Sequence, residues 1–127
     1  MIPDSVTLIG SNAFYGCASL RSAVIGDGVS SIDSNIFSYC KSLESVSIGK
    51  GVVSIDNGAF YACPKLNTVN IDEDNSVYRS VGNCIIETAT KTLVWGGGAS
   101  TIPADGSVTS IGEEAFSGRE TLTSITI

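Results

Sequence analysis

Val6-Thr7-Leu8-Ile9-Gly10-Ser11-Asn12-Ala13-Phe14-Tyr15-Gly16-Cys17, continued by Leu20-Arg21-Ser22-Ala23-Val24-Ile25, sets a pattern that returns 23 residues later and again 23 residues after that. The apolar positions line up as Phe14/Phe37/Phe60, Ile9/Ile32/Ile55, Cys17/Cys40/Cys63, Leu20/Leu43/Leu66, Ile25/Ile48/Ile71 and Val6/Val29/Val52. A fourth copy follows in Val108, Ile111, Phe116, Leu122 and Ile127. A period of roughly 20–50 residues marks one small supersecondary unit stacked on its neighbours, because a single unit cannot bury its own apolar face. The chain therefore reads as a repeat solenoid with a 23-residue period and about five coils.

Within one coil the residues divide into three parts. Val6-Thr7-Leu8-Ile9 is rich in β-branched residues and predicts a short strand that ends at Gly10. Ser11 to Cys17 predicts one or two helical turns, with Ser11 as N-cap and Ala13, Phe14 and Cys17 on one face; Ser34 and Asn57 recur at the capping position. Leu20 to Ile25 predicts a second strand whose Leu20, Ala23 and Ile25 point inward, and Gly26-Asp27-Gly28 turns into the next coil, as Gly49-Lys50-Gly51 does later. Parallel crossovers are right-handed as a rule, so the solenoid is expected to wind right-handed.

The 56 residues from Ile71 to Ile127 exceed one repeat by 33, and residues 72–101 carry the difference. Cys84-Ile85-Ile86-Glu87 and Thr92-Leu93-Val94-Trp95 are strand-like runs around Thr88-Ala89-Thr90-Lys91, which suits a four-residue hairpin loop. The expectation is one domain over residues 1–127, with 72–101 an irregular coil carrying an inserted hairpin, and Gly96-Gly97-Gly98 a flexible turn that releases the chain. Both ends read as mid-repeat, which suggests a fragment of a longer array.

At 43 % hydrophobic residues the chain can fill a continuous core, and its net charge of −6 with scattered Lys and Arg disfavours nucleic acid. No apolar run approaches the roughly 18 residues of a membrane span, and no leader precedes the first repeat. Of the four cysteines, Cys17, Cys40 and Cys63 share one repeat position. Strand neighbours lie about 4.7–4.9 Å apart, wider than the ~3.8 Å Cβ separation of a disulfide, so a buried column of free thiols is expected. Arg119 takes that slot in the last copy, which argues against a metal or redox role for the column.

Chemistry is sparse. Without histidine, Ser-His-Asp, Cys-His and His-based metal sites are absent. Ser38-Tyr39-Cys40-Lys41 matches S-x-x-K, but neither S-D-N nor K-T-G accompanies it, and other copies carry Ala18, Pro64 and Glu120 at the lysine position. Gly96-Gly97-Gly98 lacks the G-K-[ST] ending of a phosphate loop. Asp72-Glu73-Asp74-Asn75 lacks the spacing of a calcium loop and reads as a solvated acidic turn, and Trp95 reads as packing against the hairpin, with an exposed recognition aromatic as the alternative. No cofactor, metal or catalytic residue is expected. The remaining candidate is a surface: the columns Arg21/Glu44/Asn67/Thr123, Ser22/Ser45/Thr68/Ser124 and Val24/Ser47/Asn70/Thr126 should line the concave sheet with small hydrogen-bonding groups. A partner there would be held weakly per coil and strongly by repetition; the alternative is a merely soluble strand face.

Ile2-Pro3-Asp4-Ser5-Val6, Ile9-Gly10, Ala13-Phe14, Cys17 and Leu20 through Ile25 resemble the BspA-like leucine-rich repeats, whose pattern is I-P-x-x-V-x-x-I-G-x-x-A-F-x-x-C-x-x-L-x-x-I-x-I. Tyr78 to Thr92-Leu93 also resembles an insert of that family. The departures are Ile36 for the alanine, Asp33 and Asp56 after the isoleucine, and Arg119 for the cysteine, which are expected to loosen local packing. The resemblance implies a right-handed leucine-rich-repeat solenoid, non-enzymatic, secreted or displayed on a cell surface. It also implies binding or adhesion to a protein or glycan partner such as host extracellular matrix. A structural spacer within a larger surface protein is the alternative, and end-to-end self-association through exposed solenoid ends is a further expectation.

Overall fold

The computed structural model describes residues 1–98 and 100–126. Ile127, expected as the last apolar position of the fourth copy, lies outside them. The strands are β1 (Ser22–Ile25), β2 (Ser31–Ile32), β3 (Ser45–Ile48), β4 (Ser54–Ile55), β5 (Thr68–Ile71), β6 (Tyr78–Val81), β7 (Cys84–Glu87), β8 (Thr92–Gly96) and β9 (Ser110–Ile111). β1, β3 and β5 form one parallel sheet, in which Ser22 pairs with Ser45 and Ser45 with Thr68; β2 and β4 form a second parallel pair. Equivalent positions of successive repeats thus stand side by side, as in a repeat fold. In β3 the alternation Ser-Val-Ser-Ile buries Val46 and Ile48 and leaves Ser45 and Ser47 half-exposed.

The core is a stack of like residues. Phe14, Phe37 and Phe60 lie in a column with centroids 5.3 and 5.8 Å apart and rings within 12° of parallel. Trp95 continues it edge-on at 5.8 Å from Phe60. Cys17, Cys40, Cys63 and Cys84 are all free. Cys40 Sγ donates to Phe14 O at 3.1 Å and Cys63 Sγ to Phe37 O at 3.0 Å, so each thiol satisfies a carbonyl of the preceding coil. Burial pushes the thiols of Cys40 and Cys84 up and that of Cys63 up to about 11. Cys17, in the first coil, is only half-buried.

Three local expectations need correction. The predicted helical turns are not helices: the segment between Gly10 and Leu20 is a chain of turns, closed by bonds such as Ala13 N to Gly10 O and Cys17 N to Phe14 O. The reason is two left-handed residues in the segment, Asn12 at φ 62 and Gly16 at φ 68, matched by Asn35 and Tyr39 in the next coil. A left-handed residue stops helix propagation. Alternate amides of the segment point instead to the next coil, Phe14 N donating to Ile36 O and Phe37 N to Ala59 O. Ser11 does not cap it, and in the third coil the side chain that caps is Asp56, which accepts from Gly58 N at 2.8 Å. The first predicted strand is coil in residues 6–9 and shrinks to two residues in later copies.

The insert contains the expected hairpin, β7 and β8 joined by residues 88–91, and one strand more. β6 pairs antiparallel with β7 through a two-residue turn at Gly82-Asn83, both at φ 58, which is type I′ geometry. Gly-Asn between two extended runs is the signal for that turn. Ile85 and Trp95 pack into the core of the first coils, whereas Cys84, Ile86 and Leu93 pack with Ala115 and Phe116 of the last. Being covered on both faces explains the uninterrupted apolar run Cys84-Ile85-Ile86. β9 joins β8 in parallel. The insert also supplies acceptors to its neighbours: Tyr78 Oη accepts from Ile55 N at 3.1 Å and Ser80 Oγ from Ile71 N at 3.0 Å.

Candidate functional site

The outer face of β1, β3 and β5 brings together two polar rows, Ser22–Ser45–Thr68 and Val24–Ser47–Asn70, in register. Ser22, Val24, Thr68 and Asn70 are exposed and Ser45 and Ser47 half-exposed. Arg21, Glu44 and Asn67 continue the ladder at one end of the strands, Glu44 N donating to Arg21 O and Asn67 N to Glu44 O. Arg21 Nη2 and Glu44 Oε1 form an exposed ion pair at 2.8 Å, which raises the Arg21 pKa and leaves the row without net charge there. Val24, Ser47 and Asn70 border a shallow groove of about 310 Å³ rimmed by Asp4, Asp27 and Asp72. Asp4 Oδ1 accepts from Asp27 N and Asp27 Oδ1 from Lys50 N, so carboxylate-to-amide bonds between coils hold these two rim residues.

Thr123, Ser124 and Thr126 were expected in the same columns. They are exposed but belong to no strand, and they follow the insert in the chain. The parallel sheet stops at β5, because Ser80 Oγ and the antiparallel β6 meet its edge where a further parallel strand would pair. Ser124 and Thr126 instead border a larger cleft of about 750 Å³ with Ile102, Pro103 and Ile111, away from the polar rows.

The chemical motifs fall to structural roles. Ser38 is fully buried and donates its hydroxyl to Gly58 O at 2.9 Å, so it is not presented to a substrate. Gly96, Gly97 and Gly98 are a packed crossing, not a flexible turn: a Cβ on Gly96 would stand 2.1 Å from Phe116 Cε1 and one on Gly98 1.9 Å from Thr121 Oγ1. Asp72, Glu73 and Asp74 are exposed, while Asn75 is half-buried and donates to Gly49 O and Val52 O. Trp95 is buried in the core. No group of His, Cys, Asp or Glu among the described residues is arranged to hold a metal, and none of their helices is long and apolar enough to cross a membrane. Sequence reasoning missed an exposed row, Tyr15–Tyr39–Tyr61, because its spacing departs from the repeat by one residue.

A family model described as the BspA type leucine rich repeat region matches residues 1–93 and 98–127, in six copies. The chain belongs to the BspA-type leucine-rich repeat family. A search of curated proteins gave no match. Among solved structures, this BspA-type chain is similar to a leucine-rich repeat protein from Eubacterium ventriosum, at TM-score 0.78 and 22 % identity, over 98 % of this chain and 34 % of that one. It is also similar to a leucine rich cell surface protein from Faecalibacterium prausnitzii (TM-score 0.56, 23 % identity, 92 % of this chain, 44 % of that one). The pneumococcal vaccine antigen PcpA is a further likeness (TM-score 0.60, 14 % identity, 84 % of this chain, 33 % of that one). At these identities the likeness shows the fold. The chain spans about a third of the Eubacterium protein's length.

Proposed function

We propose that this BspA-type array is a non-enzymatic binding module of a secreted or cell-surface protein, and that the outer face of β1, β3 and β5 contacts a protein or glycan partner. In this reading residues 1–127 are one right-handed solenoid of about five 23-residue coils, with 72–101 an irregular coil inside it. The observation that carries the reading is the register of Ser22–Ser45–Thr68 beside Val24–Ser47–Asn70, which repeats one set of outward groups from strand to strand. Strands lie about 4.8 Å apart, so an extended partner meets equivalent groups on successive coils and gains strength by repetition. Two similar structures described as a cell surface protein and a vaccine antigen support the location.

The test is a triple variant, Ser45→Lys with Thr68→Lys and Asn70→Lys, assayed on immobilised host extracellular matrix. Binding is expected to be lost with little change in melting temperature. Ser30→Lys with Ser54→Lys and Ser110→Lys, exposed positions in or beside the short strands β2, β4 and β9, is expected to bind as the parent does. Loss of binding in that second variant alone would move the working face. If unrelated repeats of equal length replace the array without loss of adhesion by the whole protein, the array is a spacer and the reading fails.

A further inference from the structure

Tyr15, Tyr39 and Tyr61 stand on the turns that lead into β1, β3 and β5, and they are 51 %, 40 % and 42 % exposed. Their rings pack in a continuous row, with centroids 5.4 Å apart for Tyr15–Tyr39 and 5.5 Å for Tyr39–Tyr61, tilted by 55° and 75°. The repeat does not produce this row. In the middle coil the position of Tyr15 and Tyr61 is held by Ser38, which turns into the core. Tyr39 completes the row from the next position, where the other coils carry Gly16, Ala62 and Gly118, all at positive φ. Tyr39 itself sits at φ 61, a conformation that suits glycine and is unusual for a bulky side chain. The backbone there asks for glycine, yet the chain keeps an outward aromatic ring, and such strain points to a task for the ring.

We propose that Tyr15, Tyr39 and Tyr61 form a stacking platform for an extended, neutral, β-1,4-linked polysaccharide, separate from the polar strand face. The apolar face of an all-equatorial pyranose packs against a phenol ring, and the phenol hydroxyl can bond the sugar hydroxyls. The ring centroids are 5.4–5.5 Å apart, close to the advance of one sugar along such a chain, and the 55° and 75° tilts make successive sugars meet alternately a ring face and a ring edge. Peptides fit that interval less well, since a polyproline helix advances about 3.1 Å and a strand about 3.3 Å per residue. An anionic glycan is disfavoured by the net charge of −6. The platform lies on turns and not on the sheet, so it stands or falls independently of the strand-face reading.

Cellohexaose and chitohexaose are the probes, titrated while the tyrosine ring resonances are followed by NMR, with the buried Trp95 indole as internal control. The expected result is that the rings of Tyr15, Tyr39 and Tyr61 shift and the indole does not. Tyr39→Gly should weaken sugar binding by about tenfold or more while the melting temperature holds or rises, because glycine suits φ 61. Tyr39→Phe should bind within a few-fold of the parent. The proposal is overturned if neither sugar moves the rings at millimolar concentration, or if Tyr39→Gly binds as the parent does. It is equally overturned if a proline-rich or basic peptide moves the rings and the sugars do not. Sugar binding abolished by the triple lysine variant of the strand face would also sink it.

Discussion

Arg119 Nη2 donates to the carbonyl of Phe60 at 3.1 Å, which is the bond a cysteine makes in the coils before it. Cys40 serves Phe14 and Cys63 serves Phe37; after the insert, Arg119 serves Phe60 and adds a second bond from Nη1 to Cys63 O at 2.9 Å. Its guanidinium also lies 4.7 Å over the Trp95 ring. The substitution of arginine for cysteine therefore closes the gap left by the insert, contrary to the expected loosening. Arg119 is buried, and loss of solvation pushes its pKa down to about 10.

Arg119→Ala should destabilise the array by roughly 1–3 kcal/mol, since it strips two carbonyls of their donor. Arg119→Lys should fall between, because an ammonium lacks the planar fork that reaches both. Urea titration checks this; equal stability of all three proteins would show that the guanidinium bonds contribute nothing.

Phe37 is fully buried between Phe14 and Phe60. Phe37→Ala should cost roughly 3–5 kcal/mol. A loss below about 1 kcal/mol in denaturant titration would falsify the stacked aromatic column as a source of stability.

Thiol labelling of the native protein should modify Cys17 first. Cys40, Cys63 and Cys84 are buried and should react only on unfolding. Alkylation of the denatured protein without reductant should add four labels to the intact mass, and a disulfide among Cys17, Cys40 and Cys63 would contradict the ladder.

Alkaline pH should weaken the fold through Cys63. An unfolded thiol ionises near 9, whereas the folded one holds its proton to about 11, so this contribution is whole below pH 9 and is lost as pH rises through 11. Arg119 acts with the opposite sign, but only above about 10. The melting temperature should thus fall between pH 9 and 10, and Cys63→Ala should fall less steeply over the same interval. A flat profile in the parent would remove thiol desolvation from the account.

Gly96→Ala should destabilise by roughly 1–3 kcal/mol, since its Cβ would meet the Phe116 ring at 2.1 Å. Adding Phe116→Leu should recover part of that loss. Additive losses in the double variant would mean that the two residues do not compete for one space.

Strands β1, β3 and β5 and the core columns were legible because their inward apolar residues answer to one period. The Gly82-Asn83 dipeptide carries a hairpin signal, but the turn was not expected from the sequence, because β6 hides behind the mixed run Tyr78-Arg79-Ser80-Val81. Nine of the twelve candidate residues carry over from pattern to structure, six in registered rows on β1, β3 and β5 and Arg21, Glu44 and Asn67 at one end of those strands. Thr123, Ser124 and Thr126 do not, because the column argument assumes an unbroken parallel sheet and the insert ends it at β5.

By itself the sequence determined that like residues stack: a 23-residue recurrence of Phe, Cys, Leu and Ile has no other way to bury those side chains. Tertiary structure decided everything that departs from the period. Local propensity suggests a helical turn at Ser11–Cys17, yet the amides of Phe14 and Gly16 find their partners on the next coil, and left-handed Asn12 and Gly16 prevent the helix. Tyr39 leaves its column to join Tyr15 and Tyr61, and Arg119 reaches back across the insert to Phe60. The amide bonds recur from coil to coil, whereas the tyrosine row and the Arg119 contact join residues that the 23-residue step does not link; all are made because stacking brings the coils within bonding distance.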